Sequence, residues 1–409
     1  MNNPLLASLT ALIILASPAP AADWPTWRGP KRDGISTETG LLKQWPAGGP
    51  PLAWKTRGCG AGFASVSVAD GRVITLGDGP DGARVVAFST EGQPLWESEV
   101  IGRPGGDFKG GKSTPALDDG LVYVLGQFGD LVCLDAKSGK VRWKKNLTTD
   151  FGGRMQQWNF TESPLVDGNK LLVTPGGGQG TMVALDKKTG ATLWQSKQWT
   201  DDTAYSSIVP SEFGGRRHYV QLTERSVAGI AADNGALLWR APRQGATAVV
   251  PTPIVAGDLV FVTSGYNIGC NLFKLQRVGN VIGSQQLLAS REMVNHHGGV
   301  ILVGQHIYGH SDNGNWTCLE LRTGRVAWKH AGVGKGAVAY ADGHLYCRSE
   351  SGQGTVALIE ATPQGYKEKS RFNQPDRSGQ NSWAHPVIAN GKLYLRDQDL
   401  LLCYDVKQK

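Results

Sequence analysis

Short apolar runs alternate with turn residues along this chain, and the pattern repeats as a unit. Each unit opens with a strand–turn–strand signature: residues 115–124 read Pro-Ala-Leu-Asp-Asp-Gly-Leu-Val-Tyr-Val, and residues 164–173 and 386–395 read alike. The stretches Val68–Ile74 and Tyr340–Tyr346 match as well. Asp-Gly and Asn-Gly between β-rich runs predict tight hairpins, because these residues tolerate positive φ. A third apolar run follows, as in Gly129–Asp135, and a fourth carries a tryptophan. Four strands in about 45 residues make one blade of a β-propeller.

The join between the third and fourth runs is the most regular part of the unit. Leu134-Asp135-Ala136-Lys137-Ser138-Gly139 is followed by Trp143, and Leu185-Asp186-Lys187-Lys188-Thr189-Gly190 by Trp194. The same spacing sets Trp96 after Gly92, Trp239 after Gly235 and Trp328 after Gly324. Glycine provides the left-handed turn conformation at low cost. The indole on the outer strand then covers the gap to the next blade, so Trp54, Trp96, Trp143, Trp194, Trp239 and Trp328 are read as structural. Two units have lost the tryptophan: Gly283 stands in its place after Gly279, and Lys369 after Gly365.

Hairpins start near residues 65, 113, 162, 206, 252, 298, 336 and 384, which predicts eight blades. The last unit ends at Leu402-Cys403-Tyr404-Asp405 with no fourth strand, whereas Pro51-Leu52-Ala53-Trp54-Lys55 looks like a fourth strand without a blade. The expected fold is therefore all-β: an eight-bladed propeller of four-stranded antiparallel blades, the last closed by an N-terminal strand. Such closure pairs the open edges and ties the ring.

Composition narrows the setting. The chain has 409 residues with 55 glycines and 13 tryptophans, and its hydrophobic share of 40% is too high for disorder. Leu5–Ala16 is a short apolar run before Ala19-Pro20-Ala21, so residues 1–21 read as a cleaved signal peptide, 22–50 as a lead-in and 51–409 as the propeller. No cysteine lies before Cys59, so no lipid-attachment cysteine is expected, and no stretch is long enough to span a bilayer. The expected location is periplasmic or secreted, as a monomer. Cys133, Cys318 and Cys403 hold one repeat position and read as small core residues, whereas Cys59, Cys270 and Cys347 could pair. The formal charge of +7 comes from scattered basic residues, which argues against a nucleic-acid surface.

In these residues the chain resembles the pyrroloquinoline-quinone (PQQ)-like propeller repeat, with its Ala/Leu-x-Asp-x-x-Thr-Gly-x-x-x-Trp turn, over roughly residues 50–405. Two branches share that repeat: the quinoprotein alcohol dehydrogenases, and the outer-membrane assembly factor BamB with its non-enzymatic relatives. The lead-in Asp23-Trp24-Pro25-Thr26-Trp27-Arg28-Gly29-Pro30 is similar to the start of many secreted BamB-like proteins. The dehydrogenase branch implies PQQ with Ca²⁺ held by Glu, Asn and Asp oxygens, an aromatic floor, an Asp base and a pair of adjacent cysteines. This chain has no adjacent cysteines. The resemblance thus implies a non-catalytic binding or scaffolding protein with no cofactor. The alternative is a PQQ-dependent oxidoreductase acting on alcohols or sugars.

Residues just before each innermost strand face the mouth of the ring. Here they include Lys109 and Lys112, then Arg154, Trp158 and Glu162, then His296 and His297, then Lys335, and finally Asn381, Trp383 and His385. Together they predict a polar funnel for a protein or peptide partner or a small anionic, planar ligand, with carbohydrate as a weaker option. Adjacent His296 and His297 on an extended chain would point to opposite sides, so no metal is expected there.

Overall fold

The computed structural model describes residues 22–408; the predicted leader lies outside them. Eight antiparallel sheets follow one another around a ring. The first is Ser67–Ala69, Arg72–Asp78, Ala83–Ser89 and Pro94–Glu97; the second is Ala116–Asp118, Leu121–Leu125, Asp130–Asp135 and Val141–Asn146. The innermost strands of blades three to eight begin at Leu165, Val209, Ile254, Val300, Gly336 and Val387. Among the described residues one short helix, Leu147–Phe151, interrupts the strands; Asn146 caps it by accepting from Thr148 N and Thr149 N.

Local chemistry explains the units. Asp70 and Gly71 both take positive φ, at 51° and 71°, as a two-residue hairpin turn with the native twist requires. In the repeat turn, Asp135 Oδ1 accepts from Lys137 N, Ser138 N and Ser138 Oγ, and Asp186 Oδ1 does the same for Lys188 N, Thr189 N and Thr189 Oγ1. The aspartate thus holds the turn shut from within. A one-residue bulge follows in each outer pair, between Val141 and Trp143 opposite Leu134 and Cys133, and between Leu52 and Trp54 opposite Tyr404 and Cys403. The bulge re-aims the indole toward the next blade.

The closure matches the sequence reading. Leu52–Thr56 pairs antiparallel with Leu400–Asp405, setting Trp54 opposite Cys403. Trp54 Nε1 donates to Thr90 O of the first blade at 2.8 Å. Buried Arg396 adds a second tie across the same seam, donating to Ala64 O, Thr75 Oγ1 and Leu76 O.

Three expectations are corrected. The blade-five hairpin is long, Gly269–Val278 with Val281–Ser290, so its bulge places Leu288, not Gly283, at the tryptophan position. In blade seven the equivalent residue is Ser370 rather than Lys369. There the lead-in supplies the missing indole: Trp45 is buried against Tyr346 and Phe372, and its backbone N–H donates to Ser370 Oγ. Finally, Cys59, Cys270 and Cys347 are free thiols buried in different parts of the ring and do not pair.

The lead-in also does something the repeat did not foretell. Trp24 pairs with Val68 of blade one, Pro25 O accepts from Leu117 N of blade two, and Arg32 donates to Ser163 O and Pro164 O at the entry to blade three. Trp27 Nε1 donates to Thr252 Oγ1 beside blade five, and Arg28 to Val300 O of blade six. Ile35–Ser36 then runs parallel to Gly336–Ala341 as a fifth strand of blade seven. A segment touching six blades lies on the ring axis. It forms a hairpin that rises through the middle of the propeller, with Trp27 near its tip.

Candidate functional site

The inner strands start on one face, and the segments entering them converge there around the tip of the lead-in hairpin. Phe63, Lys112, Trp158, Tyr205, His297 and Trp383 come from the entries to blades one, two, three, four, six and eight. Trp27 closes the floor. The cavity holds about 960 Å³ counted out to its open mouth. Its walls are rings. Phe63 stacks on Trp383 with centroids 4.4 Å apart, Phe108 tilts against Trp383 at 5.0 Å, and Tyr266 meets His296 edge-on at 4.9 Å. Phe108 and Tyr266 stand at the mouth, exposed by 50% and 42%. Offset and edge contacts of this kind keep an aromatic wall rigid while leaving ring faces free.

Charge enters the funnel at three places. Lys112 donates to Gln127 Oε1 at 3.4 Å, and burial pushes its ammonium down to about 8. Glu350 Oε2 lies 3.0 Å from His297 Nε2. Burial would lift that carboxyl, but the hydrogen bond and charge of His297 outweigh it and hold Glu350 below its ordinary range. Lys335 bridges Asp312 Oδ1 at 3.1 Å and His296 Nδ1 at 2.9 Å. Burial first, then the neighbouring His297 and Lys335 charges, push His296 down to about 3, so the imidazole accepts from the lysine as a neutral ring.

The predicted residues divide accordingly. Trp158, His296, His297 and Trp383 line the cavity together. Lys335 is held against His296 at its rim. His385 is fully buried beneath, its ring 4.5 Å from Trp27 and its Nε2 2.9 Å from His297 O. Arg154 and Asn381 are exposed and stand apart from the lining; Arg154 lies 3.7 Å from Asp202. The two adjacent histidines do not diverge. They sit in a loop rather than an extended strand, and their ring centroids are 4.5 Å apart. Phe63 and Tyr205 were missed although they obey the same positional rule as Trp158 and Trp383. Trp27 was missed because nothing local places the lead-in on the axis.

Glu162 is the residue on which a calcium site would depend. It is 2% exposed. Its Oε1 accepts from Thr174 N, and its Oε2 from Thr174 Oγ1 at 2.8 Å and Gln221 Nε2 at 3.2 Å. Burial pushes it up to about 7. Asn381 is exposed and outside the lining, and no group of three or more His, Cys, Asp or Glu among the described residues converges to hold an ion. The aromatic walls and Lys112 suit a flat ligand, but this donor set does not fit calcium-bound PQQ.

Comparison with known proteins follows the same division. The family described as outer membrane protein assembly factor BamB matches residues 81–330. A BamB of Shewanella oneidensis is 25% identical over 253 residues, covering 56% of this chain and 59% of the relative. This chain spans about half the length of the curated relatives it matches. In structure it resembles BamB from Moraxella catarrhalis, with TM-score 0.64 and 15% identity over 88% of this chain and 98% of that one. It also resembles a quinohemoprotein alcohol dehydrogenase from Comamonas testosteroni, with TM-score 0.63 and 14% identity over 95% and 81%. At such identities the structural likeness concerns the fold.

Proposed function

Because this chain belongs to the outer membrane protein assembly factor BamB family, we propose that it is an extracytoplasmic, non-catalytic binding propeller that receives its partner at the aromatic funnel. The observation that carries this reading is the lining of the funnel: the rings of Phe63, Phe108 and Trp383 face the cavity, and no Asp or Glu is among its described lining residues. Such a site offers stacking surface and little acid–base chemistry.

The family's name points to outer-membrane proteins as the cargo. Their strands alternate apolar and polar residues and carry girdles of aromatic side chains. An exposed aromatic side chain on an extended segment suits a cavity walled by rings and closed below by Trp27. The leader read in residues 1–21 fits the same compartment. Among the described residues no helix is long and apolar enough to cross a membrane.

Fluorescence anisotropy with a labelled strand peptide from an outer-membrane barrel tests the reading. Binding should saturate and should weaken by about tenfold or more in Trp383→Ala, as expected for loss of a central aromatic contact. A peptide that binds the variant as well as the parent would refute it. Reduction of an artificial dye by alcohols, after loading with PQQ and Ca²⁺, would overturn the non-catalytic part.

A further inference from the structure

Lys112 stands in the aromatic wall behind an insulating amide. Its hydrogen-bond acceptor, Gln127 Oε1, belongs to a side chain only 2% exposed, and the other end of that amide donates to Asp78 Oδ2 at 3.1 Å. Asp78 Oδ2 also accepts from Gly105 N at 3.0 Å. One oxygen of the carboxylate is thereby taken up by the backbone and by Gln127, and the amide stands between that oxygen and the ammonium. Asn159 Nδ2 donates to the same Gln127 oxygen at 3.3 Å and fixes the amide's orientation. A lysine kept from ion pairing, in a wall of rings open to solvent on one side, retains an amine able to shed its proton near neutral pH.

We propose that Lys112 is a reactive amine that condenses with aromatic aldehydes admitted to the funnel. The nitrogen lone pair attacks the carbonyl carbon to give a carbinolamine. Loss of water then leaves an imine: one amine and one aldehyde give one C=N bond and one water, and nothing is oxidised or reduced. The departing oxygen takes its proton from solvent at the open mouth. The preference for an aromatic aldehyde comes from the rings of Phe63, Phe108 and Trp383, which offer a flat substituent stacking area beside the amine. The depressed Lys112 ammonium, at about 8, agrees with this geometry.

The inference goes beyond partner binding and needs only that the funnel admit one small fused aromatic ring system. The intact chain is treated with 2-naphthaldehyde or acetaldehyde, the imine is trapped with cyanoborohydride, and adducts are mapped by mass spectrometry. With naphthaldehyde, Lys112 should be modified about tenfold faster than the exposed lysines, because stacking of the aldehyde on the neighbouring rings adds to the larger fraction of free amine. Its rate should rise with pH and level off above about 8. Acetaldehyde should show a much smaller preference for Lys112. Lys112→Arg should lose the adduct, and Gln127→Glu, by placing a carboxylate on the amine, should slow it and move the pH midpoint upward. Should Gln127→Glu not fold, the pH profile of the parent chain decides. Labelling spread over lysines according to exposure, or a Lys112 profile still rising steeply beyond pH 9, would overturn the proposal. Peptide binding at the funnel without preferred labelling of Lys112 would sink this inference and leave the partner reading standing.

Discussion

The indole of Trp96 lies over Gly139 of the next blade so closely that a Cβ on Gly139 would stand 2.5 Å from Trp96 Cε3. Its Nε1 donates to Ala136 O in the same turn at 3.0 Å. The relation recurs: Trp54 covers Gly92, Trp143 covers Gly190 and Trp194 covers Gly235, and in blade five Leu288 covers Gly324. The repeat glycine is therefore the seat of the neighbouring blade's tryptophan as well as a turn residue. Gly139→Ala should cost about 2–4 kcal/mol, from positive φ plus overpacking. Gly279→Ala, at similar φ but in open space, should cost about 1 kcal/mol. Urea unfolding of both variants measures the difference, and equal losses would remove the seat argument.

Trp45 fills the seam that blade seven leaves without a repeat tryptophan. Trp45→Ala should therefore destabilise by about 3–5 kcal/mol, the usual cost of emptying a buried aromatic site, and by more than Trp143→Ala, whose indole is only partly buried. A lead-in residue outside the fold's core would show almost no loss in the same denaturation experiment.

Trp27 is both the floor of the funnel and part of the axial hairpin. Trp27→Ala should deepen the cavity and weaken the strand peptide by about tenfold, as loss of one aromatic contact predicts. Titration by anisotropy reads this directly. Unchanged affinity would move the binding site off the floor.

Glu162 supports the entry to blade three and does not line the cavity. Its folded pKa of about 7 lies above that of the unfolded chain. The favoured state is the protonated acid, so its contribution is complete below about 4.5 and is lost as pH rises through 7. Glu162→Gln should erase this dependence, although its amide nitrogen, turned toward Thr174 or Gln221, loses one of the hydrogen bonds that the carboxylate accepts. Added calcium should leave the melting temperature of the parent unchanged, and a marked rise would revive the ion site.

His296, His310 and His385 are pushed down to about 3, 4 and 3, chiefly by burial. They are neutral when folded and take up protons on unfolding below about 6.5. Stability from this source is complete above 6.5 and is lost as pH falls toward 3–4. Calorimetry should show a falling melting temperature over that range, with a shallower slope in His385→Gln. Identical slopes would mean that His385 is protonated in the fold.

Much of the funnel could be read in the chain because one rule applies in each unit: the residue before an inner strand faces the mouth. Trp158, His297 and Trp383 follow it. The rule fails for Arg154 and Asn381, which precede Trp158 and Trp383 in the same entry segments and are exposed outside the lining. It also says nothing of how a side chain is spent. Glu162 looks available in sequence and is consumed by Thr174 and Gln221 in space.

The sequence alone determined the blades, their order and the closing of Trp54 on the last unit. Each rests on turn chemistry among neighbours, written anew about every 45 residues. Tertiary structure alone decided what fills the axis, which indole seals the seventh seam and which acids remain free. Those outcomes join residues hundreds of positions apart, such as Trp27 with Thr252 and Trp45 with Ser370. Contacts of that span leave no period in the chain, because they depend on where whole blades stand once the ring has closed.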